Sequence, residues 1–146
     1  MIKPVLRRAT VADLPEITRI RTSVRENHLS VEDMAARGIT HETTAARMLS
    51  GELGSWVATI GNQIAAFAFA DKTNGNLWAL FTHPAHEGKG CGTILLAACE
   101  TWLKDQGVET AVLDTAKDSK AVAFYGARGW TIDGSDEHDV FMRKVL

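Results

Sequence analysis

Cysteine is scarce in this chain of 146 residues, with only Cys91 and Cys99 present. Two thiols this close together exclude the disulfide framework of a small secreted domain and point to a reducing compartment. A surplus of charge is also missing: sixteen Lys+Arg stand against eighteen Asp+Glu, a formal net charge of -2. That balance leaves no polybasic membrane patch and no broad electrostatic footprint for nucleic acid. Long apolar runs are lacking too. The longest, Ile64 to Ala70, has seven residues, against about 20 for a membrane-spanning helix. The opening Met1-Ile2-Lys3-Pro4-Val5-Leu6-Arg7-Arg8 puts charge where a secretory signal needs its apolar stretch. Repeats, low-complexity tracts and Pro/Gly/Ser-rich linkers are absent. The expectation is one cytoplasmic domain over 1–146, monomeric or homodimeric, whose core stands without a disulfide or a structural metal.

What is present divides by period. Pro4 to Arg8 reads as a short strand. Thr10-Val11-Ala12-Asp13 is a Thr-x-x-Asp variant of the capping box. Leu14, Ile17, Ile20 and Val24 then recur at helical steps, predicting an amphipathic helix to about Glu26. A second cap at Ser30 predicts a short helix ended by Gly38, and a third helix follows from His41 to Leu49. Ser55–Ile60, Gln63–Asp71 and Asn76–Thr82 are apolar segments separated by Gly61-Asn62 and by Thr73-Asn74-Gly75-Asn76. Such turn chemistry predicts a three-strand antiparallel meander. Strict alternation sets Phe67 and Phe69 against Ile64, Ala66, Ala68 and Ala70. It likewise sets Leu77, Ala79 and Phe81 against Trp78 and Leu80. Both faces are apolar, so helices must cover both. A helix over Thr93–Lys104, a strand over Val108–Asp114 parallel to the third meander strand, a helix over Ser119–Arg128 and a closing strand pair complete the chain. The fold class is α/β: a mixed, mostly antiparallel sheet with one parallel pair, flanked by helices.

The chemistry concentrates in His86-Glu87-Gly88-Lys89-Gly90-Cys91-Gly92-Thr93, between a strand and a helix. Alternate glycines let backbone N–H groups line one concavity, and the following helix adds its positive end. Such a nest wants an anion, phosphate being the commonest. The spacing is neither that of a P-loop nor that of a dinucleotide turn. His83, His86 and Cys91 lack a fourth ligand and any standard zinc spacing, so no metal is expected.

Thr82-His83-Pro84 before this loop and Asp118-Ser119-Lys120-Ala121-Val122-Ala123-Phe124-Tyr125-Gly126-Ala127-Arg128-Gly129-Trp130 downstream complete a pair of motifs. Together they resemble the GNAT superfamily of acetyl-CoA-dependent N-acetyltransferases. Its pattern is Arg/Gln-x-x-Gly-x-Gly/Ala after a strand ending in x-Pro, then Asn-x-x-Ala-x-x-Phe-Tyr-x-x-x-Gly-Phe. The resemblance spans about Ser55 to Trp130 and implies a GNAT-like single-domain fold. It implies acetyl transfer from acetyl-CoA to a primary amine of a small molecule or protein, directly within a ternary complex. The backbone at Leu80, Phe81 and Thr82 would hold the pantetheine arm, with one N–H polarising the thioester carbonyl. Gly88, Lys89, Gly90, Cys91, Gly92 and Thr93 would hold the pyrophosphate. Asp118 would sit near the cofactor. Tyr125, the only tyrosine, would protonate the departing thiolate; a phenol of pKa about 10 carries its proton at neutral pH.

Three positions depart from the pattern. Glu87 replaces Arg/Gln, and must turn to solvent or pair with a cation such as Lys89. Asp118 replaces Asn. Asn76 stands near the place where some members carry a glutamate base, and an amide takes no proton. Candidate bases are Glu26, which could equally anchor a cationic acceptor, His28 and Asp71. Two other functions fit the same cofactor motifs. One is a non-catalytic acyl-CoA-binding sensor. The other is an aminoacyl-tRNA-acetylating toxin, which the charge balance does not favour.

Overall fold

Hairpins at Gly61-Asn62 and at Asn74-Gly75 close the predicted meander in the computed structural model, which describes residues 2–146. Its strands are β2 (Leu53–Ile60), β3 (Gln63–Asp71) and β4 (Asn76–Thr82). β1 (Val5–Arg8) pairs with β2, while β5 (Thr110–Ala116), β6 (Thr131–Ser135) and β7 (Asp139–Val145) extend the other side. The seven-stranded order is β1-β2-β3-β4-β5-β7-β6, and only β4–β5 is parallel. The helices are α1 (Leu14–Arg21), α2 (Val31–Ala36), α3 (His41–Leu49), α4 (Cys91–Asp105) and α5 (Lys120–Gly126). None of these described helices is long and apolar enough to cross a membrane.

Both sheet faces are covered, as their composition demands. One core sets Leu14, Ile17 and Ile20 of α1 against Leu53, Val57, Phe67 and Phe69. The other sets Leu95, Leu96, Cys99 and Leu103 of α4 against Ala66, Ala68 and Ala70. The alanines let α4 lie close to the sheet. At Gly54 even a methyl group would stand 2.8 Å from the Trp102 ring.

Strict alternation fails in two strands. The β2–β3 register steps from Ala58↔Ala66 to Thr59↔Ile64, which leaves Ala65 as an extra residue and turns Ile64 to the phenylalanine face. The β3–β4 register steps from Phe69↔Ala79 to Ala70↔Leu77, so Trp78 is extra in β4. Trp78, Ala79 and Phe81 therefore pack with α1, and Leu77 and Leu80 with α4. A bulge bends its strand and increases local twist, and β4 bends away from β5. The two share one register pair, Asn76↔Val112, supported by the Val112 N–H to Gly75 carbonyl bond of 2.9 Å.

α1 ends at Arg21, not near Glu26. The Thr22 hydroxyl donates to the Thr18 carbonyl at 3.0 Å and the Ser23 hydroxyl to the Ile20 carbonyl at 2.6 Å. These side chains compete for the backbone acceptors that would continue the helix. The freed segment is pinned to β5 by Asn27, which has a left-handed φ of 56°. Its amide donates to Thr115 Oγ1 at 3.0 Å and accepts from the Ala116 N–H at 2.9 Å. Glu26 beside it accepts the Lys120 N–H at 2.9 Å, capping α5 from a distant part of the chain. Asn27→Ala loses two part-buried hydrogen bonds and places a Cβ residue less suited to positive φ. It is expected to lower stability by about 2–3 kcal/mol in urea denaturation.

Candidate active site

The departure of β4 from β5 opens a long cleft between them, lined by Leu80, Phe81 and Thr82 on one side and Leu113 to Ala116 on the other. The His83 N–H donates to the Ala65 carbonyl at 2.8 Å. Antiparallel alternation then commits the backbone of Phe81 to Phe67 of β3, and turns the N–H and C=O of Leu80 and Thr82 toward the cleft. Two of the three expected backbone positions thus present free groups on an open strand edge.

The glycine loop lies at one end of the same cleft. Gly88 and Gly90 have φ of 75° and 88°, and open space surrounds both. These left-handed residues are where only glycine folds without strain. α4 begins earlier than its sequence pattern indicates. Gly90 is its N-cap, so the N–H groups of Cys91, Gly92 and Thr93 form its unsatisfied first turn. Gly92 serves a different purpose from its neighbours, because a Cβ there would stand 3.1 Å from Phe124 Cζ. Its lack of a side chain seats α5 against α4.

Glu87 is exposed and makes no ion pair among the described residues. Lys89 instead reaches His86 Nδ1, at 3.1 Å. Asp118 is exposed and does not cap α5; Glu26 does. The cation absent from the loop motif arrives from α5's far end. Arg128 Nη2 donates to Thr93 Oγ1 at 3.0 Å while its guanidinium lies 3.8 Å over the Phe124 ring. A lone arginine after a helix offers no sequence signal for that role.

Tyr125 is buried at 7% exposure between Phe124 and Trp130, its ring lining the cleft. Burial raises its pKa above the ordinary phenol value, with a smaller contribution from Cys99, so the hydroxyl holds its proton firmly. Burial likewise raises Cys91 and Cys99, which makes both poor nucleophiles. No group of three His, Cys, Asp or Glu among the described residues is arranged to hold a metal.

The candidate bases separate. Asp71 is 5% exposed, takes an ion pair from Arg47 and accepts the Thr73 N–H and hydroxyl, outside the cleft. Glu26 lines the cleft but is engaged at α5. His28 lines it with Nδ1 bonded to the Val24 carbonyl at 2.9 Å. Two groups escape the sequence pattern. Asp114 of β5 lines the cleft, and partial desolvation raises its pKa above the ordinary carboxylate value, reinforced by the Asp139 charge. Arg21, the last residue of α1, lies 4.1 Å over the Phe81 ring. Burial pushes its pKa down to about 10, with Arg37 adding to the fall.

This geometry has many counterparts. The PaiA N-acetyltransferase of Thermoplasma acidophilum, solved in complex with coenzyme A, superposes with a TM-score of 0.84 at 17% identity, covering 99% of this chain and 100% of that one. The ribosomal-protein-alanine N-acetyltransferase of Brucella melitensis gives 0.78 at 22%, covering 97% and 99%. YncA of Salmonella typhimurium, solved with its cofactor acetyl-CoA, gives 0.75 at 22%, covering 99% and 94%. No curated relative matches the chain in sequence. At these identities the likeness is one of fold, and membership rests on sequence. The model of the acetyltransferase (GNAT) family matches residues 14–130, most of the chain, and this protein belongs to that family.

Proposed function

We propose that this acetyltransferase moves an acetyl group from acetyl-CoA to a primary amine within a ternary complex, residues 1–146 acting as one domain. One observation carries the reading. A single cleft joins an open strand edge at Leu80 and Thr82 to a helix N-terminus preceded by left-handed glycines. The strand edge suits an extended amide-bearing arm, and the loop suits a pyrophosphate. Gly88 through Thr93 hold the phosphates with backbone N–H groups, and Arg128 stands beside them. Glu87 stays in solvent, and Asp118 is exposed outside the cleft lining.

The thioester supplies the acyl group. A free N–H of Leu80 or Thr82 donates to its carbonyl oxygen as charge develops there. Asp114 takes the proton that an alkylammonium, of pKa about 10.4, must lose before its nitrogen attacks. Its raised pKa brings it closer to that task than an ordinary carboxylate. Tyr125 gives its proton to the departing sulfur, and the new bond is the amide. Glu26 holds the start of α5, and so the helix that carries Tyr125, rather than acting as the base.

Release of CoA with a panel of amines tests the proposal; acetyl-CoA bound but never consumed contradicts it. Tyr125→Phe is expected to lower kcat on the order of a hundredfold with CoA affinity nearly unchanged, and equal turnover removes Tyr125 from the acid role. The pH dependence has a definite sign. Asp114 must be ionised to act, so kcat/KM should rise with pH through a pKa raised above the ordinary carboxylate value. Asp114→Asn should lower the rate and abolish that limb; an unchanged profile excludes Asp114.

A further inference from the structure

Arg21 presents an unusual electrostatic situation. Its Nη2 donates to the Asn27 carbonyl at 2.8 Å, and its guanidinium carbon lies 4.1 Å from the centre of the Phe81 ring. Its Nη1 is buried without any hydrogen-bond partner. A buried donor left unpaired costs the desolvation of that group, and a charged one costs most. Arg21 lines the cleft, and it abuts Phe81, whose strand neighbours Leu80 and Thr82 offer the free backbone groups. No carboxylate relieves the unpaired donor: none of the ion pairs among the described residues involves Arg21, Arg25 or Arg37. All three of these arginines line the cleft. The nearest acids in sequence, Glu16 and Glu26, are engaged by Arg19 and by the start of α5.

The opposite wall carries an acid pair, with Lys120 and His138 also on its lining. Asp114 and Asp139 both line the cleft and interact closely enough to raise Asp114. The charge of Arg37 acts on Arg21 and on Asp114 alike, which places the two walls within electrostatic reach of each other. A dianion such as a phosphate ester would face the acid pair unfavourably. A molecule with an amine at one end and a carboxylate at the other complements both walls.

We propose that Arg21 is a specificity residue of the acceptor site and that the amine acceptor carries a carboxylate, which the free guanidinium nitrogen receives. This rests on the transferase reading, and it names the acceptor class that the family does not fix. A charge-assisted hydrogen bond to a desolvated guanidinium corresponds to a discrimination of about tenfold to a hundredfold.

The test compares acceptors in matched pairs, glycine, β-alanine and lysine each beside its amide, with rates expressed per unprotonated amine. Wild-type protein is expected to favour the carboxylate member at least about tenfold in kcat/KM. In Arg21→Gln the ratio should collapse toward unity, and in Arg21→Lys it should fall only partly. A second measurement needs no turnover: calorimetric binding of N-acetyl-β-alanine and of its amide to the CoA-loaded protein. The wild type should again prefer the carboxylate about tenfold. Acetylation of amines without that preference overturns this inference and leaves the transferase reading intact. A carboxylate preference in binding with no acetylation of any pair supports the Arg21 site and sinks the transferase reading. Should Arg21→Gln not fold, Arg21→Lys carries the assignment: an undiminished preference in that variant, or none in the wild type, overturns the inference.

Discussion

β4 and β5 are held together at Asn76 and Val112 and then part, and the cleft exists because the hydrogen bonds that would close them are never made. Parallel neighbours normally exchange bonds along their whole length, since an unpaired strand edge leaves polar groups without partners. Here the separation is built in. Trp78 is inserted as a bulge in β4, its side chain and that of Ala79 pack on the same face, and the strand beyond turns away. The unmade bonds of Leu80 and Thr82 leave an adhesive edge, the surface proposed to take the ligand. Such a surface recognises an extended chain by its amides and carries little information about what lies at the chain's end.

The charge on the protein is arranged around that gap rather than spread over the surface. At the glycine loop, backbone N–H groups and a helix terminus are proposed to supply most of the attraction for phosphate, the means by which a chain of net charge -2 would hold a polyanion. The one cation beside the loop, Arg128, is fixed by its stacking on Phe124 and its bond to Thr93. At the end proposed for the acceptor, the helical segment brings arginines and β5 with β7 brings aspartates. Glu26 and Asn27 tie these two sources together by gripping α5 and the end of β5. Chain segments far apart in sequence thereby define one site.

Much of this is legible in the sequence alone, and the exceptions share a cause. The glycine loop, Phe124-Tyr125 and the two hairpin turns are local signals, because left-handed backbone and tight turns demand particular residues wherever they occur. The faces of Ile64 and Trp78 are not legible. A bulge is decided by the partner strand, and alternation along one strand cannot reveal it. The early end of α1 depends on hydroxyls bonding back to the helix, which a hydrophobic stripe does not register. Arg21 closes an amphipathic helix and reads as a solvated charge until Phe81 is seen beneath it. Asp114 ends the strand that its sequence predicts, whereas β5 continues to Ala116 and turns that carboxylate into a wall of the cleft. Asp71 looks available from its hairpin position, and only the packing of α3 shows that Arg47 has claimed it.

Backbone amides at two separate places, the edge of β4 and the turn into α4, are proposed to bind one ligand. Amide hydrogen exchange on adding coenzyme A reads both places at once. Slowed exchange at Leu80 and Thr82 together with Gly88 through Thr93 is the predicted result, with Phe81, already committed to β3, changing least. Saturating coenzyme A that leaves either segment unprotected would contradict a shared ligand.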